Sequence, residues 1–332
     1  MKKTVLLSND LKQFNSVYSQ EAIEKLKSVS NVYDTIISTE NVNDHIQAIE
    51  EADYVFSTWG VPIFTNEIID KMKNLKCFFY AASSVKHFAD PYMAKGVRIV
   101  NAGKPNGDYV AKFAFSQIML AAKGFFMQVR VGDNYNAFTT IERTKIFGSF
   151  MQKIGIIGAG NIGKEVIRML RENNMYPMVY DPYLSEEAAK NLGAVKASLE
   201  EIFAECIVIS NHAPSTAETV NMIGKKYFEL MRKGATFVNT ARGDAVVEEE
   251  FAEVFSRRKD IVAILDVVVT EPLPEESPIN RLDNVFRTPH IAGVHGSENS
   301  VMAFSCIDEL ERFESGKPLQ QEVTKELYAK MG

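Results

Sequence analysis

The segment Lys153–Gly163, KIGIIGAGNIG, constrains the fold more than any other part of the chain. The apolar run KIGII is typical of a buried strand, and a helix is predicted from Asn161 onward. Between them, Gly158, Gly160 and Gly163 form the pattern G-x-G-x-x-G. The first glycine permits a tight turn, the second lets the backbone approach a pyrophosphate, and the third lets helix and strand pack closely. The segment therefore predicts a βαβ unit with a phosphate-binding turn.

A glycine-rich turn alone is weak support for nucleotide binding, because such turns occur in many α/β proteins. Here a second apolar strand, MVYD, ends in Asp181, eighteen residues after Gly163. A carboxylate at that place accepts hydrogen bonds from the adenosine ribose and repels a 2′-phosphate. The N-terminus of the intervening helix directs its free N–H groups at the phosphates. The two features together predict NAD as the cofactor and disfavour NADP.

Strand-length apolar runs alternate with amphipathic stretches along the whole chain, which predicts an α/β fold built from βαβ units. The 332 residues suffice for two domains. We expect two doubly wound lobes, residues 1–102 with 294–332 and residues 103–293. The strands predicted in the first lobe are Thr4–Ser8, Val32–Ile37, Tyr54–Ser57, Cys77–Ala81 and Arg98–Val100. Those predicted in the second are Lys153–Ile157, Met178–Tyr180, Cys206–Ser210, Thr236–Asn239, Ile261–Leu265 and Val285–Arg287.

Glycines and a proline interrupt this pattern in residues 101–108. We expect a hinge there, followed by a long apolar helix from Tyr109 to about Met127. The first lobe also carries predicted helices at Gln20–Ser28 and Asn66–Asn74. The last predicted helix, roughly Glu298–Ser315, has no strand to cover in the second lobe. We therefore expect it to return to the first lobe.

Composition narrows the class of partner. The chain is 46% hydrophobic and 24% charged, and its net charge of -6 is spread along the sequence. Nucleic acids and anionic membranes bind clustered positive charge, so we expect a small-molecule ligand instead. The first apolar run is too short for a signal peptide, and no run is long enough to span a bilayer, so a cytoplasmic protein is expected. The spacing of Cys77, Cys206 and Cys306 favours free core thiols over a disulfide framework or a metal site.

Polar side chains follow three later strands of the second lobe. Arg242 follows ATFVN, Glu271 follows IVAILDVVV and His290 follows NVFR. The ligand crevice of an open parallel sheet lies beyond the carboxyl ends of its strands. His290 can exchange the proton of an alcohol during hydride transfer, and Glu271 can orient its imidazole. The Arg242 guanidinium can bind a carboxylate and stabilise negative charge on a carbonyl oxygen.

Each of these residues also has an ordinary structural interpretation. Glu271 precedes Pro272 and can simply begin a turn, Arg242 can pair with Asp244 or a nearby glutamate, and His290 can be a hydrogen-bonded core residue. The spacing of the three residues does not by itself bring them together.

Taken together, these motifs closely resemble the D-isomer-specific 2-hydroxyacid dehydrogenase family. The resemblance runs from about Asn101 to Gly293, through GIIGAGNIG, YDPY, NHAPSTAET, NTARGDAVVEEE, LDVVVTEPLPEESPI and TPHIAG, in the order and spacing of the family. It implies a flavodoxin-like substrate-binding domain followed by a Rossmann NAD-binding domain. It also implies a small D-2-hydroxy acid or 2-keto acid substrate and a homodimer built on the NAD-binding domains.

The resemblance further implies roles for individual residues. Arg242 would bind the carboxylate and keto oxygen of the substrate, His290 would be the acid/base, and Glu271 would be its partner. The backbone of Ser83, Ser84 and Val85, in AASSVKHF, would bind the substrate carboxylate, although the family carries glycine in this loop and this chain does not. Besides the three glycines and Asp181, the residues implied to line the NAD site are Asn161, Ile162, His212, Ala213, Pro214, Thr219, Thr240, Ala241, Asp266 and Gly293.

Four side chains keep open roles. His212 can equally pack the wall of the cofactor groove without a chemical function. His87 can enter the substrate pocket, begin a helix or lie on the surface, and Trp59 can form a pocket wall or pack within its lobe. Lys112, in YVAKFAF, stands where the family usually carries glutamate, which puts the local hydrogen bonding at the lobe junction in question.

The sequence thus predicts a dehydrogenase that interconverts a small D-2-hydroxy acid and its 2-keto acid in a cleft between two lobes. The alternative is a non-catalytic NAD(H)-sensing interaction protein, because the C-terminal-binding-protein corepressors share this fold and these residues. A formate dehydrogenase is less well supported, since formate has no hydroxyl proton for His290 to remove. The substrate's C3 substituent is not specified, although the lack of an arginine cluster disfavours a phosphate ester.

Overall fold

The computed structural model of the chain describes residues 2–131 and 147–330. It divides into two compact units, Met1–Asn106 with Val294–Gly332 and Gly107–Gly293. Each unit alternates parallel strands with helices around its own sheet. The predicted class of two parallel-sheet α/β domains is therefore confirmed. Residues 132–146 of the predicted second lobe lie outside the described residues.

The first unit contains a five-stranded parallel sheet in the order β2-β1-β3-β4-β5, which is the flavodoxin-like order. All five strands were predicted to within a residue or two. The strands are β1 (Lys3–Leu7), β2 (Asn31–Ile37), β3 (Tyr54–Ser57), β4 (Cys77–Tyr80) and β5 (Arg98–Asn101). Its helices are α1 (Leu11–Val17), α2 (Gln20–Val29), α3 (Ile46–Glu51), α4 (Asn66–Lys71), α5 (Asp90–Ala94), α13 (Ser300–Glu314) and α14 (Lys325–Lys330).

The second unit contains a seven-stranded parallel sheet in the order β12-β11-β10-β9-β6-β7-β8. Counted from β6, this is the Rossmann order with one strand added at the far edge. The strands are β6 (Lys153–Ile157), β7 (Tyr176–Tyr180), β8 (Val195–Lys196), β9 (Val208–Asn211), β10 (Thr236–Asn239), β11 (Val262–Leu265) and β12 (Val285–Arg287). Its helices are α7 (Phe125–Val131), α8 (Asn161–Glu172), α9 (Glu186–Leu192), α10 (Leu199–Glu205), α11 (Lys225–Leu230) and α12 (Glu248–Arg257), and α6 (Gly103–Ala122) runs into it from the first unit.

Successive residues of the second sheet enter two separate hydrophobic cores. Ile156 and Ile264 belong to one buried cluster, whereas their neighbours Ile157 and Leu265 belong to the other. A sheet buried on both faces needs apolar side chains at every position, which is why its strands appear in the sequence as continuous apolar runs. This property is why six strands of the second unit could be predicted from the sequence. The seventh, β8, was missed because it has only two residues, both exposed.

The structure corrects the predicted boundary of the helix that follows β5. The helix α6 begins at Gly103, not Tyr109. Most of the break predicted in residues 101–108 therefore forms the first two turns of this helix. Pro105 is tolerated there because the first N–H groups of a helix need no partner within the helix. The helix stops at Ala122, and Gly124, at a φ of 70°, separates it from α7. The predicted extension to Met127 is therefore a second helix.

The long helix α13, which follows the second unit in the chain, belongs to the first unit, as predicted. It packs against α1 and α2, and the Lys25 ammonium forms ion pairs with Asp308 and Glu311. The three cysteines are buried free thiols, as predicted. Among the helices that the structure describes, none is long and apolar enough to cross a membrane.

Candidate cofactor and catalytic site

The glycine-rich turn has the geometry that its sequence predicts. Gly158 has a φ of 90°, and a Cβ added there would lie 2.9 Å from the backbone N of Ala213, so only glycine fits. A Cβ added to Gly163 would lie 2.0 Å from the carbonyl oxygen of Gly158, so this glycine sets the close approach of α8 to β6.

The second glycine of the motif borders open space. Gly160 is the N-cap of α8, and no side chain caps this helix. Within the described part of the chain, nothing lies within 4 Å of a Cβ added to Gly160. The N-terminal N–H groups of α8, including those of Asn161 and Ile162, are therefore the donors available to a pyrophosphate at this end of the helix.

Asp181 follows β7 directly and supports the glycine-rich turn. Its Oδ2 accepts a hydrogen bond of 2.7 Å from the backbone N–H of Ala159, and its Oδ1 accepts one of 2.8 Å from Tyr183. The carboxylate is thus held where the turn meets the end of the second strand. Each oxygen retains acceptor capacity for a ribose hydroxyl.

His212 and Thr240 carry buried polar atoms that have no partner within the described residues. The Nε2 of His212 lies 2.9 Å from Ser210 Oγ, but its Nδ1 is unpaired, as is the Oγ1 of Thr240. The two residues directly follow Asn211 and Asn239, which are register partners on β9 and β10, so they come next to each other at one edge of the sheet. Burial lowers the pKa of His212 to about 4 and keeps the imidazole neutral at pH 7. Unpaired buried polar atoms at this edge fit a site that receives a polar ligand.

The loop after β9 is stabilised by its own side chains. Thr219 Oγ1 donates a hydrogen bond of 2.6 Å to the carbonyl oxygen of Pro214 and accepts one of 2.8 Å from the N–H of Thr216. Ala213 is buried against Gly158, and its N–H donates to Asn211 Oδ1. These residues form the side of the glycine-rich turn that the sequence predicted as a cofactor groove.

The predicted His290 and Glu271 pair is formed. His290 Nδ1 lies 2.8 Å from Glu271 Oε2, and Glu271 Oε1 accepts a hydrogen bond of 3.2 Å from the N–H of Val268. The His290 side chain is 53% exposed. An imidazole held at Nδ1 by a carboxylate presents Nε2 as the nitrogen that exchanges a proton.

A buried carboxylate holds the loop that carries His290. Asp266, 2% exposed, accepts hydrogen bonds from Thr288 Oγ1 (2.5 Å) and from the N–H groups of Ile291 (2.9 Å) and Ala292 (2.8 Å). Its carbonyl oxygen accepts a further bond of 3.0 Å from the N–H of His290. His290 itself has a φ of 55°, which this set of bonds maintains. Asp266, predicted to lie near the nicotinamide, therefore anchors the loop that carries His290.

Arg242 follows β10 and lies on a loop packed against that of Glu271. A Cβ added to Gly243 would lie 2.0 Å from the carbonyl carbon of Val268, so the two backbones are in direct contact. Arg242 Nη1 donates a hydrogen bond of 2.7 Å to Ala241 O, and Arg242 O accepts one from Asn239 Nδ2. Among the described residues, Arg242 has no carboxylate partner. The alternative pairing with Asp244 is not formed: Oδ2 of Asp244 accepts a hydrogen bond from Ser215 Oγ, and its Oδ1 has no partner among the described residues.

The predicted substrate loop of the first unit is held by two asparagines that the sequence analysis did not single out. Asn101 Nδ2 donates a hydrogen bond of 2.6 Å to Ser83 O, and Asn106 Nδ2 donates one of 3.1 Å to Ser83 Oγ. Val85 is buried, and its carbonyl oxygen accepts from the N–H of Ala89. The only sequence signal for these anchors was the polar stretch 101–108, which we interpreted as a hinge.

Three residues with open roles are now placed. Trp59 packs against the hydrophobic core of the first unit. His87 is exposed and contacts the rings of Tyr80 and Phe88, and partial burial lowers the pKa of its imidazole. The Lys112 ammonium lies over the Tyr109 ring, 4.4 Å from its centroid, one turn earlier on the same helix.

Residues 118–292 match the family described as D-isomer specific 2-hydroxyacid dehydrogenase, NAD binding domain. The match spans just over half of the 332 residues, including the glycine-rich turn, Asp181, Arg242, Glu271 and His290. The chain belongs to this family. The expectation of a Rossmann domain with NAD as its cofactor is thereby confirmed.

Relatives of known name agree with this assignment. The chain is 31% identical over 260 residues to D-3-phosphoglycerate dehydrogenase of Archaeoglobus fulgidus. The aligned region covers 77% of this chain and 49% of that protein. It thus spans about half the length of this curated relative. A phosphoglycerate oxidoreductase from Rhizobium etli has a similar fold, with a TM-score of 0.79 at 22% identity over 97% of both chains. The NAD-complexed D-isomer specific 2-hydroxyacid dehydrogenase of Lactobacillus delbrueckii ssp. bulgaricus also has a similar fold. Its TM-score is 0.76 at 17% identity, over 97% of this chain and 100% of the Lactobacillus chain.

Proposed function

We propose that the protein is an NAD-dependent dehydrogenase that interconverts a small D-2-hydroxy acid and its 2-keto acid. The observation that carries the proposal is the His290 and Glu271 hydrogen bond of 2.8 Å, formed after strands of the NAD-binding sheet. The non-catalytic NAD(H)-sensing proteins share these residues, so sustained turnover, and not the pair alone, separates the two functions. Membership of the family supports the class of reaction and the D configuration of the product.

The cofactor would be held by the glycine-rich turn and the edge of the second sheet. Gly158 and Gly163 shape the turn, Gly160 leaves room for the pyrophosphate, and the N–H groups of Asn161 and Ile162 donate to it. Asp181 binds the adenosine ribose. The residues that we propose to line the remainder of the groove are His212, Ala213, Pro214, Thr219, Thr240, Ala241, Asp266 and Gly293.

Three side chains perform the proposed chemistry. Bound NADH supplies the hydride that reduces the keto carbon. Arg242 binds the carboxylate and polarises the keto oxygen, so that negative charge developing there is stabilised. His290, protonated at Nε2 and oriented by Glu271 at Nδ1, gives its proton to that oxygen. In the oxidative direction, neutral His290 takes the hydroxyl proton instead.

The second group that we propose to bind the substrate carboxylate is the backbone of Ser83, Ser84 and Val85. Backbone N–H groups bind carboxylates without needing glycine, so the unusual composition of this loop is compatible with the role. The hydrogen bonds from Asn101 and Asn106 support it, because they fix the start of the loop. We further propose that the protein is a homodimer, which sedimentation velocity would test.

The experiment is a steady-state assay of NADH oxidation with glyoxylate, pyruvate, hydroxypyruvate and larger 2-keto acids. We expect sustained turnover with at least one acid and much weaker activity with NADPH. Formate with NAD is included, because turnover of formate alone would indicate the formate dehydrogenase chemistry. Tight NADH binding without oxidation by any acid would contradict the proposal and indicate an NAD(H)-sensing interaction protein.

A further inference from the structure

The carboxylate loop, residues 83–85, is held firmly at its start. The amides of Asn101 and Asn106 bond to the carbonyl and hydroxyl oxygens of Ser83. Asn101 is buried at the end of β5, and Asn106 is half-buried in the first turn of α6. These bonds do not reach the end of the loop, where the N–H of Val85 lies. The end of the loop is held by Val85, which is buried and whose carbonyl oxygen accepts hydrogen bonds from the N–H groups of Phe88 and Ala89, and by the contacts of Lys86.

The C-terminal helix α14 supplies contacts beside that end. Lys86, which follows Val85, has its Nζ 4.3 Å from the centroid of the Tyr328 ring, a cation–π distance. The Tyr328 ring packs against the core of the first unit. Burial, together with the neighbouring Asp90 carboxylate, raises the pKa of Tyr328 to about 12, so the hydroxyl stays protonated at neutral pH.

The segment that leads into α14 is fixed to the edge of the sheet. Glu322 pairs with Val100 in an antiparallel bridge, and the N–H of Val323 donates a hydrogen bond of 2.8 Å to Ile99 O. The Arg98 guanidinium bonds to both carboxylate oxygens of Glu322, each at 2.6 Å. Since α14 begins only two residues after Val323, these contacts fix its starting point relative to β5. Tyr328 is thereby presented to Lys86 by a rigid support.

We propose that Tyr328 is a positioning residue that orders the end of the carboxylate loop through Lys86 and so sets the affinity for the substrate carboxylate. The inference rests on the proposed function, in which the N–H groups of this loop bind that carboxylate. A loop without conformationally restricted residues does not by itself fix the directions of its backbone N–H groups. Contacts at both ends of the loop are therefore needed to hold these groups in one arrangement. Tyr328 acts on the loop and does not touch the substrate.

The test compares Tyr328→Ala, Tyr328→Phe and Leu327→Ala in the full chain. Leu327 is 46% exposed on the same helix and serves as the matched control. Amide hydrogen exchange of residues 83–88 is measured together with kcat, with KM for pyruvate, glyoxylate and hydroxypyruvate, and with NADH affinity. For Tyr328→Ala we expect faster exchange of this segment and a KM raised about threefold to tenfold, with kcat and NADH affinity unchanged. Tyr328→Phe keeps the ring below Lys86 and should retain most of the wild-type KM.

Two results would overturn the inference. One is faster exchange confined to residues 325–330, with residues 83–88 unchanged in Tyr328→Ala. The other is the same rise in KM for Leu327→Ala, because that would reflect general loosening of α14. If the wild type oxidises NADH with none of the acids, the proposed function fails. The exchange comparison then still decides whether Tyr328 orders the loop.

Discussion

Asp266→Asn should destabilise the NAD-binding domain and disorder the loop that carries His290. The two carboxylate oxygens of Asp266 accept three hydrogen bonds, two of them from the backbone N–H groups of Ile291 and Ala292. An asparagine of the same shape has one acceptor oxygen and one NH₂ group. Whichever way the amide is turned, its NH₂ group faces at least one donor, and that donor loses its partner in a buried position.

The size of the effect follows from these contacts. A buried donor without an acceptor costs about 1–3 kcal/mol, and the bonds that remain lose the strengthening given by a charged acceptor. We expect a total loss of about 2–4 kcal/mol from the free energy of unfolding. For a domain of 150–250 residues, about 1 kcal/mol lowers the melting temperature by roughly 2–4 °C. The predicted decrease is therefore roughly 4–16 °C.

The assay is thermal unfolding followed by circular dichroism, with kcat measured at a temperature where the variant is folded. Asp283→Asn is the control, because Asp283 is 65% exposed and its ion pairs should contribute less than about 1 kcal/mol. We expect the melting temperature of Asp266→Asn to fall by roughly 4–16 °C and its kcat to fall at least about tenfold, with little change in Asp283→Asn. An unfolding curve that coincides with the wild type would refute the role of Asp266 as the anchor of this loop.

The remaining predictions concern the cofactor site. Asp181→Ser should raise kcat/KM for NADPH relative to NADH by about tenfold or more, since it removes a charge that repels the 2′-phosphate; an unchanged ratio would count against the ribose assignment. Gly158→Ala should weaken NADH binding by about tenfold or more in a fluorescence titration. The reason is that Gly158 has a φ of 90° and an added Cβ would meet the backbone of Ala213. Binding as tight as that of the wild type would show that the turn adapts to the added Cβ. The pKa of His212 is about 4 in the folded protein and 6.5 in the unfolded chain. Between these values the unfolded chain binds the extra proton, so stability falls as the pH drops. His212→Asn should remove about 2 kcal/mol of the loss between pH 7.5 and pH 5, seen as a smaller difference between the melting temperatures at these two pH values. Equal differences in both proteins would contradict the buried neutral imidazole.

The features best predicted from the sequence are those encoded within a few consecutive residues. Most strands of the two sheets are short apolar runs, and the glycine-rich turn carries its geometry in three fixed positions. The pairing of His290 with Glu271 was predicted as a role but not as a contact. It depends on two loops nineteen residues apart in the sequence and on the bonds from Asp266 that hold the loop of His290, and the spacing of the two residues does not contain that information.

Anchoring residues were harder to predict because their partners are distant in the sequence. Asp266 bonds to a loop more than twenty residues later, and Asn101 bonds to a residue eighteen positions earlier. A buried carboxylate or amide looks the same in a sequence whether it binds a ligand or its own backbone. The false break before α6 has a related cause, since glycine and proline mark both loops and the first turn of a helix.

The central claim is that His290, held by Glu271, transfers the proton in an NADH-dependent reduction of a 2-keto acid. The most direct measurement is chiral analysis of the product formed from NADH and the best acid of the panel, for the wild type and for His290→Ala. We predict the D-2-hydroxy acid, formed in equal amount to the NADH oxidised, and a turnover lowered about 10²- to 10⁴-fold in His290→Ala with NADH binding retained. A racemic or L product, or near-normal turnover by His290→Ala, would contradict the claim.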